Sequence, residues 1–350
     1  MTMRRNRPRL RFGFDRFSGL YLFALFVIVF GIWTPGTFLT MSTVKAVATQ
    51  QAIPTIIALA LLIPLSADTF DLSVGATVNL STVIVAVLQT QDGWGMWPAI
   101  AAAVASTFAI GFLNGFIVVK LRVSSFIATL GMATVVTAVQ EIVSGDNQPS
   151  PPTSTAWVDL SQRSVLGFQV VFFYMLVLAL VLWWFLSRTA TGRYLYAIGG
   201  NAEASRLAGI PVGRYRWGAL TASATICGVA GVLYASQSGP SLTYGQALLL
   251  PAFAAVFLGS TQLEPGRFTV WGSFIAVYVL ATGIEGMQLV TGVQWLNDMF
   301  NGVALIVAVA FAVWRQRRVT ELKRLDLGRA RFGEEAEERQ VVSAAPDPNT

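Results

Sequence analysis

Along this chain, long apolar runs alternate with short polar stretches, and the runs have the length that a bilayer demands. Crossing about 30 Å of hydrocarbon takes roughly 20 mostly apolar residues as helix, because lipid offers no partner to an unpaired backbone group. Segments 18–36, 50–67, 74–91, 97–119, 125–143, 168–187, 215–236, 246–260, 270–289 and 295–314 meet that requirement or approach it. The pattern predicts an all-α integral membrane protein of about ten transmembrane helices. The first run follows "MTMRRNRPRLRFGFDRF", but no A-x-A cleavage pattern follows it and nine more runs do, so it reads as a span and not as a signal peptide.

Charge sets the orientation. Alternating the spans from a cytoplasmic N-terminus puts inside six Arg before residue 17, Lys120 and Arg122, five Arg between 188 and 216, Arg267, and eight Lys or Arg after 314. Only Lys45 and Arg163 of the 24 basic residues then fall outside, as the positive-inside rule expects with both termini cytoplasmic. Three parts follow: a basic segment at 1–17, a membrane domain at 18–314, and a charged cytoplasmic tail at 315–350 that lacks an apolar face and reads as a short helix followed by disorder.

Composition narrows the chemistry. Of 350 residues, 54% are hydrophobic and 12% charged, with a mean hydropathy of +0.61. The net charge of +6 could suggest nucleic acid, but the basic residues flank apolar spans and do not cover a soluble face. There is no histidine, which removes the commonest general base and metal ligand, and Cys227 is the only cysteine. None of the three lysines, Lys45, Lys120 and Lys323, stands in a Walker A motif, so ATP binding by this chain is not expected, nor is any metal or cofactor. A proton- or sodium-driven transporter ordinarily needs titratable groups at mid-membrane, and none lies at mid-span here. A polytopic enzyme is disfavoured by the lack of His, of Cys pairs and of clustered internal carboxylates.

Several stretches depart from the simple pattern. Pro251 interrupts 246–260 and Gly259 ends it, which predicts a bent or partly re-entrant helix; Pro54 and Pro64 stand near the ends of 50–67. The outer loop at 144–167 is rich in Pro, Ser and Thr and reads as irregular, exposed and open to an external partner. Most of the ten tryptophans cluster towards span ends, as in an aromatic belt. The segment "YAIGGNAEASRLAGIPVGRYR", 196–216, is polar between two apolar spans. Asn201 can cap a helix start, Glu203 and Arg206 are spaced to pair, and Gly209 followed by Pro211 ends the helix. About two turns of helix should lie across the cytoplasmic face, either as a mere connector or as a contact surface.

Asp71 and Ser73 lie between the second and third spans, where the Asp71 carboxylate is placed to cap the next helix through the N–H groups of Ser73 and Val74, or to stand beside a solute path. Within spans the polar candidates are Asn79, Ser81, Asn114, Gln140, Glu141, Glu285, Gln288 and Asn301, since an amide buried in hydrocarbon needs a partner or a wet cavity. Asn114 sits in "GFLNGF", where Gly111 and Gly115 form a G-x-x-x-G pair suited to close helix packing and an interhelical hydrogen bond.

Four stretches in order resemble the permease subunits of bacterial ABC importers for ribose and other simple sugars. They are "FDLSVGATVNLS" at 70–81, "GFLNGFIVVKLRVSSFIATLGM" at 111–132, "YAIGGNAEASRLAGIPV" at 196–212 and "AVFLGSTQLEPGRFTVWGSFIAVYVL" at 255–280. The resemblance implies a subunit of the bacterial inner membrane that works with a second permease, alike or different, and with two cytoplasmic ATPase subunits or one tandem ATPase. A periplasmic or lipid-anchored solute-binding protein would deliver the solute. It also implies that residues 200–209, with Gly200, Asn201, Glu203, Ala204, Arg206, Leu207 and Gly209, form the coupling helix that sits in a groove of the ATPase. Asp71, Ser73, Asn79 and Asn114 are the candidates for the translocation path. The expected cargo is a monosaccharide, with nucleosides, an autoinducer-type sugar or branched-chain amino acids as alternatives. The pattern's double glycine is Gly259-Ser260 here, its glycine-rich turn is "EPGR", and "SADTF" precedes "DLSVG", so ligand specificity does not carry over directly.

Overall fold

The computed structural model describes residues 18–310 other than 265, 294, 297, 298 and 308. The N-terminal segment 1–17, the tail 315–350 and part of the tenth expected span lie outside the described residues. The helices are α1 (Ser18–Trp33), α2 (Met41–Gln50), α3 (Ala52–Leu65), α4 (Val74–Thr90), α5 (Met96–Val119), α6 (Ser125–Ser144), α7 (Thr155–Gln162), α8 (Val170–Arg188), α9 (Ala190–Gly200), α10 (Ala202–Leu207), α11 (Val212–Ser238), α12 (Tyr244–Ser260) and α13 (Val270–Thr291). Residues 299–307 are helical as well. Among the described residues six helical runs, with α2 and α3 taken as one, are long and apolar enough to cross a membrane, and α1, α4 and α12 are shorter apolar helices. The chain is thus an all-α membrane protein, its one small sheet being the antiparallel pair β1 (Ser164–Val165) and β2 (Phe168–Gln169) among the described residues.

The centre of the fold is α3. Its sequence, AIPTIIALALLIPL, has no polar face, and every residue except Pro54 is buried. A helix that is apolar all round has no side to offer water, so it takes the middle while α8, α11, α12 and α13 surround it. By contrast α6 and α8 are mostly exposed on one side, with Ile127, Ile142, Val177 and Trp184 all more than half exposed, which is the surface a bilayer would cover. α5 lies closely on α11. A Cβ at Gly111 would come within 2.8 Å of the Leu220 carbonyl and the Thr221 Cα, so the G-x-x-x-G spacing serves helix approach.

Three regions differ from the expected layout. The span predicted from residue 50 is preceded by α2, and the two helices break at Gln51. The segment 246–260 lies within α12, a continuous helix of 17 residues that is not interrupted at Pro251. The outer loop 144–167 is not wholly irregular. It contains α7, whose Trp157 is 1% exposed and packs on Val85, Ala99, Ala103, Val232 and Ala235. Ser161 Oγ donates to the Leu233 carbonyl at 2.9 Å, and Ser236 Oγ to the Trp157 carbonyl at 2.6 Å. A buried tryptophan and hydrogen bonds to α11 hold in place a loop whose composition otherwise reads as irregular.

Candidate functional site

The expected surface helix is α10, a six-residue helix. Asn201 has extended backbone, and its Oδ1 accepts the Ala204 N–H at 2.9 Å, satisfying one of the donors that a helix start leaves free. Arg206 pairs with Glu203 across one turn, and Gly209, with φ +84°, ends the turn in the left-handed region as the Ile210 N–H reaches back to the Ser205 carbonyl. The Arg206 hydrogen bond and charge hold the Glu203 carboxyl below its ordinary range. The pair therefore persists above the ordinary carboxylate value and is lost only as pH falls through the lowered one. Asn201, Glu203, Ala204, Arg206, Leu207 and Gly209 are all exposed, Leu207 at 83%, while Ser205 is buried and Ala202 packs against the core. A leucine presented to solvent beside an ion pair is what a docking surface offers and what a mere connector does not need.

How α10 is attached to the spans was not foreseen from the sequence. Residues 190–200, expected as loop, form α9, capped by Thr189 Oγ1, which accepts the Gly192 N–H at 3.2 Å. The far end of α9 is keyed to two spans. Gly199 lies against the Ser66 carbonyl at the end of α3, so closely that no Cβ fits between them. Tyr196 Oη donates to the Phe268 carbonyl at 2.7 Å, just before α13, and the Arg267 guanidinium lies 3.7 Å over the Tyr196 ring. Burial raises the Tyr196 phenol above its ordinary pKa, so it stays a donor at any physiological pH. Arg216 at the start of α11 donates from Nε to the Ala67 carbonyl at 3.2 Å and stands 3.8 Å from Asp68. The segment that carries α10 is thus tied to the ends of α3 and α13 by close packing and a short hydrogen bond, and α11 is tied to the end of α3 through Arg216.

The four candidate path residues are all fully buried within the subunit. Three of them come together. Asp71 Oδ1 accepts the Ser73 N–H at 3.1 Å and the Ser73 hydroxyl at 2.6 Å, and Asn114 Nδ2 donates to the same hydroxyl at 2.9 Å. The Val74 N–H is not taken, so the cap is a single-residue Asx turn. Asn79 stands apart, between one and two turns further along α4. Its Oδ1 accepts the Gly245 N–H at 2.6 Å, and its Nδ2 donates to the Leu242 carbonyl at 2.9 Å and to Gln246 Oε1 at 3.0 Å. Of the remaining polar candidates, Ser81 Oγ donates to the Gly228 carbonyl at 2.7 Å and Gln140 Nε2 to the Leu242 carbonyl at 3.1 Å. These side chains tie helices together; Asn301 instead lines a cavity.

Comparison with known proteins agrees with this architecture. Residues 43–309 match the family described as "Branched-chain amino acid transport system / permease component". The chain is 31% identical over 304 residues to the fructose import permease protein FrcC of Rhizobium meliloti, covering 84% of each chain. It is 30% identical over 303 residues to the autoinducer 2 import system permease protein LsrC of Enterobacter sp. (strain 638), covering 83% of this chain and 86% of that one. To the D-allose transport system permease protein AlsC of Escherichia coli (strain K12) it is 26% identical over 300 residues, covering 85% and 91%. No solved structure matches the chain. With its apolar helices and buried polar links on one side and these relatives on the other, the chain belongs to the branched-chain amino acid type family of permease components, the membrane-spanning, non-enzymatic subunits of ABC importers.

Proposed function

We propose that this permease carries a monosaccharide or a closely related sugar across the bacterial inner membrane, driven by ATP hydrolysis on partner subunits. The names of the relatives, which concern fructose, allose and autoinducer 2, favour a sugar over the amino acids in the family's description. The membrane domain at 18–314 would cross the bilayer ten times, with the basic segment 1–17 and the tail 315–350 both cytoplasmic. Within the described residues, Lys120, Arg122, Arg188, Arg193, Arg206, Arg214, Arg216 and Arg267 lie in or beside the connections that this topology puts inside, against Lys45 and Arg163 outside.

The observation that carries the reading is α10 itself: an exposed Leu207 and an exposed Glu203–Arg206 pair at the tip of a segment keyed to α3 and α13. Gly200, Asn201, Glu203, Ala204, Arg206, Leu207 and Gly209 form the coupling element that sits on a cytoplasmic ATPase. A second permease subunit, two ATPase subunits or one tandem ATPase, and an external solute-binding protein complete the importer. Asp71, Ser73, Asn79 and Asn114 act beside the path by fixing the helices that line it. The charge reversal Glu203→Arg with Arg206→Glu tests the coupling role. Exposed ion pairs add little stability, so membrane insertion and folding should be unchanged. ATP hydrolysis stimulated by the loaded binding protein should fall several-fold; full stimulation would refute the docking role.

A further inference from the structure

A cavity of about 260 Å³ opens between the ends of α2 and α3, the first half of α12, α13 and the helical residues after 299. It is the one place where the central helix is not sealed: Pro54, the exception on α3, lines it, and so does Pro251 of α12. Proline has no N–H, so the Gln50 and Ala247 carbonyls, four residues before each, lack their helical partners. Four polar side chains reach the same space: Gln50, Gln51, Tyr244 and Asn301. None of these side chains hydrogen-bonds to another described residue.

Gln50 is exposed and Gln51 and Asn301 are half-buried, so their amides are open to the water or solute that an unpaired amide in a membrane protein requires. Each amide offers donors and an acceptor, the pattern that a ring of hydroxyl groups presents in return. Tyr244 is held flat by stacking on Tyr234, with centroids 3.5 Å apart and rings 12° from parallel, and gives an apolar face beside those amides. No charged residue is among the described lining. A free amino acid would bring an ammonium and a carboxylate that need charged or strongly polarised partners, whereas an uncharged polyol needs none. The volume lies just below the roughly 300–1,000 Å³ of sites for drug-sized ligands, which suits a smaller solute. Gln50, Gln51 and Tyr244 stand at the helix ends near Lys45, the end that faces outwards under the proposed topology.

We infer that this cavity is the outward-facing solute vestibule of the permease and that Gln50, Gln51, Tyr244 and Asn301 receive an uncharged sugar there. This rests on the permease reading above. The lone cysteine makes a direct test simple: on a Cys227→Ala background, Gln51→Cys, Asn301→Cys and the outer-loop control Ser150→Cys are made in the complete importer. Right-side-out vesicles with internal ATP and added binding protein are assayed for uptake of D-fructose, D-allose and autoinducer 2. Labelling then uses a small anionic methanethiosulfonate reagent. Each variant is compared with its own unlabelled uptake, so a folding defect does not enter the comparison, and Gln51→Ala and Asn301→Ala are read for KM.

Labelling at 51 and 301 should lower uptake at least ten-fold and labelling at 150 should not, while the two alanine variants should raise KM for uptake at least five-fold. Undiminished uptake after complete labelling at both positions, or an unchanged KM in both alanine variants, would overturn this inference and leave the permease reading standing. Failure of the unsubstituted importer to take up any of the three solutes in an ATP-dependent way would overturn the sugar reading and the inference with it.

Discussion

The crossing of α4 and α12 gives a prediction whose size follows from coordinates. Gly75, in the first turn of α4, faces Gly245 in the first turn of α12; a Cβ at Gly75 would lie 2.7 Å from the Gly245 carbonyl oxygen and 3.0 Å from the Gln246 Cα. A carbon and a carbonyl oxygen settle at roughly 3.3–3.6 Å, so Gly75→Ala forces the two backbones apart by about 0.7 Å. The opposing atoms are main chain and cannot rotate away. The Asn79 bonds that bridge the same crossing would lengthen with it. Those of 2.9 and 3.0 Å to Leu242 and Gln246 would then pass beyond hydrogen-bond range, while the 2.6 Å bond from Gly245 would merely weaken. Overpacking costs about 1–3 kcal/mol and leaving a buried amide donor unpaired a further ~1–3 kcal/mol, so Gly75→Ala should destabilise by roughly 2–6 kcal/mol.

At roughly 2 °C per kcal/mol for a chain of this size, the melting temperature should fall by about 4–12 °C. Tryptophan fluorescence of the detergent-solubilised protein reads it. Gly131→Ala is the control, because nothing lies within 4 Å of that position and alanine suits a helix interior better than glycine. Asn79→Ala supplies the second check. Its cost added to Gly75→Ala should be clearly less than its cost alone, because the first substitution has already broken two of its bonds. Equal melting of Gly75→Ala and wild type, or full additivity with Asn79→Ala, would refute the account.

Other consequences are as direct. Gly199→Ala should impair stimulated ATP hydrolysis by lifting α9 off α3, whereas Gly131→Ala on α6, with nothing within 4 Å, should behave as wild type; equal behaviour of the two would contradict the keyed attachment. Asn201→Ala removes the cap of a six-residue helix, a loss of about 1 kcal/mol, and should raise amide hydrogen exchange across 202–207, with Asn201→Ser restoring protection. Ser73→Ala leaves Asn114 Nδ2 without its acceptor and should cost about 1–3 kcal/mol, measured by thermal unfolding, and Asn114→Ala on that background should cost little more.

Much of this protein was legible from one dimension. Bilayer thickness dictates the length of an apolar run, and charge next to a run dictates the side, so the helical membrane class follows from pattern alone. The cap at Asn201, the Glu203–Arg206 pair and the stop at Gly209 were legible too, because capping and i,i+3 pairing are local. Partnerships over long sequence distance were not. Nothing near Asn79 announces Leu242 and Gly245, nothing near Tyr196 announces Phe268, and α7 is ordered by a tryptophan whose pocket is built from α4, α5 and α11.

The polar residues divide for the same reason. Sequence marks an amide in an apolar run as needing a partner, but only the folded chain shows whether it has one. Asn79 and Asn114 find partners and fasten helices, while Gln50, Gln51 and Asn301 find none among the described residues and open onto a cavity. Gln50 and Gln51 drew no notice in the sequence because they stand at a span edge, where an amide is unremarkable. Local chemistry determines which groups must be satisfied; helix packing, which brings together residues more than a hundred positions apart, decides which are satisfied by protein and which are left for a solute.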